Sequence, residues 1–164
     1  MRHPNIVEFE VWGDYGLFAE PILRVGGEKC TYQVPTYETL KGILSSVYWK
    51  PTLIWYIDAV RVMNQIQTEV KGIRPIHYND SRNDLSYYTY LKNCRYQVRA
   101  HFEWNENRPE LAKDRNENKH HEIAKRMITK ADGGIFFWEH GSARGMWRLV
   151  YSAKAKGSTT ASQN

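Results

Sequence analysis

The sequence contains little cysteine and no long apolar segment. Only two of its 164 residues are cysteines, too few for a disulfide framework, and a reducing compartment would keep Cys30 and Cys94 as thiols. No stretch approaches the roughly 18 consecutive apolar residues of a membrane span, and the N-terminal residues have no apolar run of the signal-peptide type. We therefore expect a cytoplasmic protein with two reduced, buried or half-buried cysteines.

Several common catalytic motifs are also missing. The sequence has no glycine-rich phosphate loop, no G-x-S-x-G nucleophile turn and no H-E-x-x-H zinc motif. Asp58 and Asp114 look isolated, without a second carboxylate at a spacing suited to acid and base catalysis. No Cys or His partner lies at metal-ligand spacing from the histidine pair at 120 and 121. We therefore expect neither a metal nor a cofactor.

The charge and the aromatic content point weakly to nucleic acid. Lys and Arg number 23 against 18 Asp and Glu, a net charge of +5, and aromatic residues make up 13% of the chain. Basic residues alternate with Tyr, Trp and His in 82–104 and 108–126, a mixture suited to stacking bases and pairing phosphates. A solvated strand face is the alternative interpretation. The candidate RNA-binding residues are Arg95, Arg99, His101, Lys113 and Arg115.

The order of predicted elements favours a single α+β domain, for which 164 residues suffice. Alternating or β-rich segments predict strands at 6–12, 53–63, 66–73 and 90–104. Apolar residues at helical spacing predict helices from Thr36 to Pro51 and from Asn118 to Gly133. Turns or loops are expected at 13–16, 74–89 and 105–118. This order begins the split β-α-β pattern of a ferredoxin-like fold, which requires a further strand after the second helix.

The strongest candidate for a catalytic site is Asn118-Lys119-His120-His121, at the predicted start of the second helix. Free N–H groups and the positive end of the helix dipole favour a phosphate there. Lysine and histidine would add a charge and a proton carrier. The alternative is two solvated histidines. Tyr48, considered alone, is typical of a core tyrosine with an exposed hydroxyl, and Trp49-Lys50 of packing and a cation at a helix end.

Five separated motifs carry a resemblance to a known family. They are VEFEVWGDY at 7–15, YQVPT at 32–36, GIL at 42–44, VYWKP at 47–51 and NKH at 118–120. Together they resemble the repeat-processing endoribonuclease of type I-C CRISPR systems, a member of the fifth Cas family in the RAMP superfamily. The resemblance covers about residues 4 to 130. It implies a ferredoxin-like domain of the RNA-recognition type with extra β-hairpins.

The resemblance also implies a function. Family members cleave precursor CRISPR RNA at the repeat hairpin without metal, then hold the 5′ handle in an interference complex with backbone and large subunits. By motif, Tyr48, Lys119 and His120 match the catalytic residues. We expect His120 to transfer protons, Lys119 to stabilise the phosphate charge and Tyr48 to orient or activate the 2′-hydroxyl. The alternatives are a non-catalytic scaffold that binds guide RNA and an inactive truncated form.

The sequence departs from the family after residue 130. We predict a domain at 1–130 and an atypical, partly disordered tail at 131–164, with 157–164 lacking apolar residues. Codons can be chosen for Ile135 to Arg148 such that reading them in a frame shifted by two bases encodes a segment similar to the one that family members have there. A frame change is therefore our hypothesis, and sequencing the gene would test it. An altered tail would leave an exposed apolar edge beside a predicted core of Leu40, Ile43, Leu44, Val47, Val98, Phe102 and Met127.

Overall fold

The computed structural model describes residues 4–20, 28–74, 85–131, 135–137 and 143–151. The strands and helices are β1 (Val7–Phe18), α1 (Tyr37–Val47), β2 (Leu53–Val62), β3 (Thr68–Ile73), β4 (Ser86–Trp104), α2 (Glu117–Lys130), β5 (Ile135–Phe137) and β6 (Ala143–Tyr151). A 3₁₀ helix at Pro109–Asp114 precedes α2. None of the helices in these ranges is long and apolar enough to cross a membrane.

The strands form one antiparallel sheet in the order β2-β4-β1-β6-β5, and β3 pairs with the first part of β4. Strands β1, β2, β4 and β6, together with the two helices, follow the β-α-β-β-α-β order of the ferredoxin-like fold. The predicted α+β class is therefore confirmed. The β3 and β5 strands are additions to this pattern, each paired with its sheet neighbour in a hairpin-like arrangement.

The expectation of an incomplete sheet edge is wrong for the described backbone. Strand β6 pairs with β1 from Phe9 to Phe18, and β5 pairs with β6. Gly145, which interrupts the apolar pattern, is itself paired with Gly16. Strand pairing uses backbone N–H and C=O groups, which glycine and arginine supply as well as valine does. The predicted disorder at 157–164 falls outside the described residues.

Three predicted boundaries are also wrong. The predicted turn at 13–16 is part of β1, where Gly13 pairs with Cys94 and Gly16 with Leu91. Strand β4 begins at Ser86, within the predicted loop 74–89, and the predicted loop at 105–118 contains the 3₁₀ helix. In the first two cases pairing along the 19-residue β4 outweighs the local turn preference of Gly, Asn and Pro.

Both helices share one apolar core with the sheet. Thr36 caps α1 by accepting a hydrogen bond from the N–H of Thr39, as the sequence predicted. All seven predicted core residues belong to this core, Met127 as a partly buried member. The first five strand residues that alternate from Cys94 are buried as well, whereas Arg95, Arg99 and Glu103 are exposed on the opposite face. The core therefore fixes which side of the sheet carries the helices.

Both cysteines are free, Cys30 partly exposed and Cys94 buried. The Cys94 thiol lies 3.4 Å from the carbonyl oxygen of Gly13. Burial raises the pKa of Cys94 from the ordinary value of 9.0 to about 11. The folded protein therefore keeps this thiol protonated at a pH where the unfolded chain releases the proton.

This difference predicts a loss of stability in alkali. Cys94 contributes stability that is fully present below pH 9.0 and is lost as the pH rises through about 11. The free energy of unfolding should fall by about 2–3 kcal/mol through this group. Urea unfolding at pH 8 and pH 11 measures the loss, which Cys94→Ala should reduce and Cys30→Ala should leave intact. Equal losses in the wild type and Cys94→Ala would contradict this account.

Candidate active site

Tyr48 and His120 meet where the end of α1 lies beside the start of α2. The backbone N–H of Tyr48 caps α1 by donating to the carbonyl of Leu44, and the indole N–H of Trp55 donates to the carbonyl of Tyr48 at 2.8 Å. The phenolic oxygen of Tyr48 lies 2.7 Å from Nδ1 of His120. The two side chains, 72 residues apart in sequence, therefore form one buried hydrogen-bonded pair.

The surroundings of His120 fix the tautomer of its neutral ring. The residue is only 1% exposed, and its ring packs edge-on against Phe102 and Trp104. Its Nε2 lies 2.8 Å from the backbone carbonyl oxygen of Asp114. Because a carbonyl only accepts hydrogen bonds, Nε2 carries the proton of the neutral ring, and Nδ1 accepts from the hydroxyl of Tyr48. The tyrosine hydroxyl is therefore polarised toward the imidazole.

Asp114 connects this pair to Lys119. The Lys119 ammonium lies 2.7 Å from Oδ1 of Asp114, and Oδ2 lies 3.4 Å from Nε2 of His120. The hydroxyl of Thr52 lies 3.5 Å from the same Oδ2. The sequence predicted no second carboxylate suited to acid and base catalysis beside Asp114, and the side-chain partners that the structure gives it are Lys119, His120 and Thr52. The 3₁₀ helix brings Asp114 back beside the first turn of α2, five residues before Lys119.

The start of α2 places Lys119 and His120 on neighbouring faces. Asn116 caps the helix, because its side-chain oxygen accepts from the N–H of Lys119 at 3.0 Å. The helix begins at Glu117, one residue before the predicted start. His121 points elsewhere, as successive helical residues diverge by about 100°, and its Nε2 lies 3.0 Å from the carbonyl of Ile6. His120 and His121 therefore have different surroundings despite being adjacent.

The pKa shifts define the charges in the site. The hydrogen bond and charge of Lys119 lower the pKa of Asp114, with weaker help from the charge of Lys50 and from the imidazolium form of His120. Burial raises the pKa of Tyr48, and the Asp114 carboxylate raises it further. At neutral pH the site therefore contains a carboxylate and a protonated phenol. Such a phenol can donate to His120 while its oxygen accepts a hydrogen bond from a bound hydroxyl group.

Two of the predicted RNA-binding residues lie beside this site. Lys113 is exposed on the 3₁₀ helix. Arg115 follows that helix and donates to the carbonyl of Asn105 at 3.0 Å, and it lies 3.4 Å from the Glu106 carboxylate. Arg115 therefore fastens the segment before α2 to the end of β4, whereas Lys113 leaves its charge at the surface.

The other three lie on the sheet face opposite the helices. Arg95 pairs with Glu10 at 2.6 Å, and Arg99 pairs with Glu8 at 2.7 Å. The sequence did not predict these ion pairs, in which strand β1 supplies a glutamate for each arginine. The guanidinium groups remain about half exposed, with side-chain exposures of 49% and 52%.

His101 also has an acidic partner on that face. Its Nδ1 lies 2.7 Å from Asp58, which was interpreted as isolated from sequence, and its ring stacks on Tyr56 at 5.5 Å. Asp58 lies at a bulge where the register of β2 shifts between Ile57 and Ala59. The sequence therefore identified the polar face of β4 but not the acidic residues of the neighbouring strands that pair with it. Across the described ranges, no group of three or more His, Cys, Asp and Glu side chains is arranged to hold a metal ion.

Comparisons with known proteins agree with this fold. A sequence profile of the CRISPR-associated protein Cas5, in its Cas5d form, matches residues 6–137. CRISPR pre-crRNA endoribonuclease Cas5d from Mannheimia succiniciproducens is 38% identical over 65 residues, which span 40% of this chain and 28% of that protein. The Cas5d endoribonuclease from Thermus thermophilus is 28% identical over 103 residues, spanning 57% of this chain and 44% of that protein. The chain thus matches less than half the length of either curated relative.

Two crystal structures are similar over most of the chain. One is of a CRISPR-associated protein, with a TM-score of 0.71 and 32% identity over 91% of this chain and 67% of that one. The other is of a functionally uncharacterized protein from Streptococcus mutans, with a TM-score of 0.69 and 33% identity over the same shares. The likeness in structure therefore extends further along this chain than the match to the sequence profile.

The buried pair makes a prediction about stability. Tyr48→Phe removes the hydroxyl that satisfies Nδ1 of His120 and leaves a buried acceptor without a partner. The free energy of unfolding should fall by about 1–3 kcal/mol, measured by urea denaturation. Tyr37→Phe is the matched control, because Tyr37 is 42% exposed, and it should change stability by less than about 0.5 kcal/mol. Equal stability of the two variants would contradict the hydrogen bond.

Proposed function

The chain belongs to the Cas5 family of CRISPR-associated proteins, in the Cas5d form, and we propose that it is a repeat-processing endoribonuclease of a type I-C system. In this proposal it cleaves precursor CRISPR RNA at the repeat hairpin and then holds the 5′ handle in the interference complex. The family profile and two relatives named pre-crRNA endoribonucleases support the proposal. They match less than half of each relative, so the residues of the site have to carry the argument for activity.

The observation that carries the proposal is the hydrogen bond from the Tyr48 hydroxyl to Nδ1 of His120, 2.7 Å long. An imidazole whose Nε2–H is already donated to Asp114 has Nδ1 available to take a proton from the phenol. The phenol oxygen can then take a proton from a hydroxyl group bound above it. Tyr48 and His120 thus have the arrangement of a two-step proton relay.

RNA supplies the nucleophile for such a relay. The 2′ oxygen forms a bond to the adjacent phosphorus, the bond from phosphorus to the 5′ oxygen breaks, and the 2′-hydroxyl proton passes to Tyr48 as the phenol proton passes to His120. The expected products are a 2′,3′-cyclic phosphate and a 5′-hydroxyl. The imidazolium that forms is stabilised by the Asp114 carboxylate, 3.4 Å from Nε2. Because His120 is 1% exposed, we assign the contact with RNA to Tyr48.

Lys119 supplies positive charge at the phosphate. Its side chain is 53% exposed, and its ammonium rests on the Asp114 carboxylate. In our proposal the ammonium moves to a non-bridging phosphate oxygen when RNA binds and stabilises the charge that develops there. It then gives a proton to the leaving 5′ oxygen, which becomes the 5′-hydroxyl, and regains a proton from water. Lys113, exposed on the 3₁₀ helix, adds a second cation for the RNA backbone.

The proposed reaction uses no metal ion. Its nucleophile belongs to the substrate, and the steps assigned to the protein are alignment, proton transfer and charge stabilisation. The half-exposed Arg95 and Arg99 remain candidates for binding the RNA, each in competition with its glutamate. His101, whose Nδ1 contacts Asp58 and whose ring stacks on Tyr56, would support the surface rather than contact a base directly. The backbone and large subunits of the type I-C complex are the proposed protein partners.

The two adjacent histidines provide a matched test of the relay. In single-turnover cleavage of a repeat hairpin RNA, His120→Ala should lower the rate by at least about 100-fold and change RNA affinity by only a few fold. His121→Ala should retain nearly full activity, because His121 bonds to Ile6 and not to Tyr48. Circular dichroism checks that both variants are folded. An essential His121 with a dispensable His120 would overturn the assignment.

Three controls separate this proposal from its alternatives. EDTA should leave the rate unchanged, and a 2′-deoxy nucleotide before the cleaved linkage should abolish cleavage. A 2′,3′-cyclic phosphate should be found at the new 3′ end. A wild-type protein that binds repeat RNA tightly without cutting it would favour the non-catalytic scaffold and contradict the endoribonuclease.

A further inference from the structure

Trp49 directly follows the catalytic candidate Tyr48 and is 61% exposed, the largest exposed fraction among the large hydrophobic residues that the structure describes. The segment that carries it is held at both ends. Trp55 donates to the Tyr48 carbonyl, and the N–H of Leu53 donates to the carbonyl of Lys50 at 3.2 Å. The indole is therefore presented to solvent by a fixed turn beside the buried pair.

A cleft of about 120 Å³ lies against this tryptophan. Its polar lining comes from Lys41 and Ser45 of α1 and from Asn105 at the end of β4, and Pro51 and Trp55 contribute to its apolar side. An aromatic surface with a cation and an amide around it suits a flat heteroaromatic ring that carries hydrogen-bonding groups at its edge. A nucleobase has that chemistry.

The cleft lies next to the candidate active site. The Asn105 side chain donates to the carbonyl of Pro51 at 3.1 Å, and its backbone N–H donates to the carbonyl of Thr52 at 2.9 Å. The hydroxyl of Thr52 in turn contacts the carboxylate of Asp114. One short wall, residues 51–52, therefore separates the cleft from the Tyr48, His120 and Asp114 cluster.

Lys50 adds an available charge at the same place. Its side chain is exposed and makes no ion pair or hydrogen bond within the described part of the chain. Its charge is nonetheless felt by Asp114. The ammonium of Lys119, by contrast, already has a carboxylate partner. Lys50 is thus a cation near the site that can pair with a phosphate without first breaking a contact.

We propose that Trp49, Lys50 and this cleft bind one unpaired nucleotide beside the cleaved linkage, the base stacking on the Trp49 indole and the phosphate pairing with Lys50. The nucleotide has to be unpaired, because a base within a duplex has its faces covered by its neighbours. The placement beside the cleaved linkage rests on the proposed function. The pairing of an exposed indole with a free ammonium favours RNA over an apolar protein segment.

The test uses a repeat hairpin RNA made non-cleavable by 2′-deoxy substitution, with 2-aminopurine at each unpaired position flanking the hairpin in turn. One position should lose fluorescence on binding, because the base stacks on the indole. Trp49→Ala should abolish that quenching and weaken binding by about 5- to 100-fold, and Trp49→Tyr should retain most of both. Tyr87→Ala is the matched control, since Tyr87 is 49% exposed on the first part of β4.

The salt dependence of binding tests the second contact. Lys50→Gln should weaken binding and reduce the slope of log affinity against log salt by about 0.7, whereas Lys130→Gln, at the other end of α2, should not. Unchanged quenching and unchanged RNA affinity in Trp49→Ala would overturn the proposal. A Trp49→Ala variant that binds RNA normally but loses binding to another protein would overturn it as well. Because the RNA in this test is not cleaved, quenching that depends on Trp49 would support nucleotide binding in the cleft even if the wild type proved inactive as a nuclease. If the wild type cleaves RNA and Trp49→Ala changes neither quenching nor affinity, the nucleotide site is rejected and the proposed endoribonuclease activity stands.

Discussion

The hydrogen bond between Tyr48 and His120 is the contact on which the arrangement of the site depends. A buried imidazole needs partners for both nitrogens, and here they come from the end of α1 and from the 3₁₀ helix. Leaving either nitrogen unsatisfied would cost about 1–3 kcal/mol, a large part of the stability of a small domain. These two bonds together therefore hold the end of α1 and the segment before α2 beside the ring of His120.

The sheet holds these groups in register. Strand β4 pairs with β1, β2 and β3, and its inward face contributes Phe102 and Trp104 to the wall around His120. Its outward face carries arginines that are matched by glutamates of β1. The buried pair of Tyr48 and His120 thus lies on the helix side, and arginines paired with glutamates lie on the other.

Much of the fold was predictable because it rests on local patterns. The alternation from Cys94 to Trp104 identified the buried face of β4, and Thr36 identified the start of the first helix. That helix ends at Val47, before the predicted stop at Pro51, because Tyr48 is already extended. The wrong boundaries were those decided by distant pairing, as at Gly13, which local preference assigns to a turn and Cys94 draws into a strand. In the site, motifs pointed to Tyr48 and His120, but Asp114 was missed. The contacts of Asp114 with Lys119 and His120 depend on the 3₁₀ helix before α2. The Asn and Pro residues around that helix are typical of a loop, so the sequence predicted a loop there.

The most direct test of the account is the protonation of the His120 ring, read from long-range ¹H–¹⁵N correlation spectra of labelled protein at neutral pH. The account predicts a neutral ring with the proton on Nε2 and an Nδ1 resonance that shifts in Tyr48→Phe but not in Tyr37→Phe. His120→Gln identifies the signals. A proton on Nδ1, or an Nδ1 resonance that ignores the loss of the Tyr48 hydroxyl, would contradict the claim that His120 acts through Tyr48.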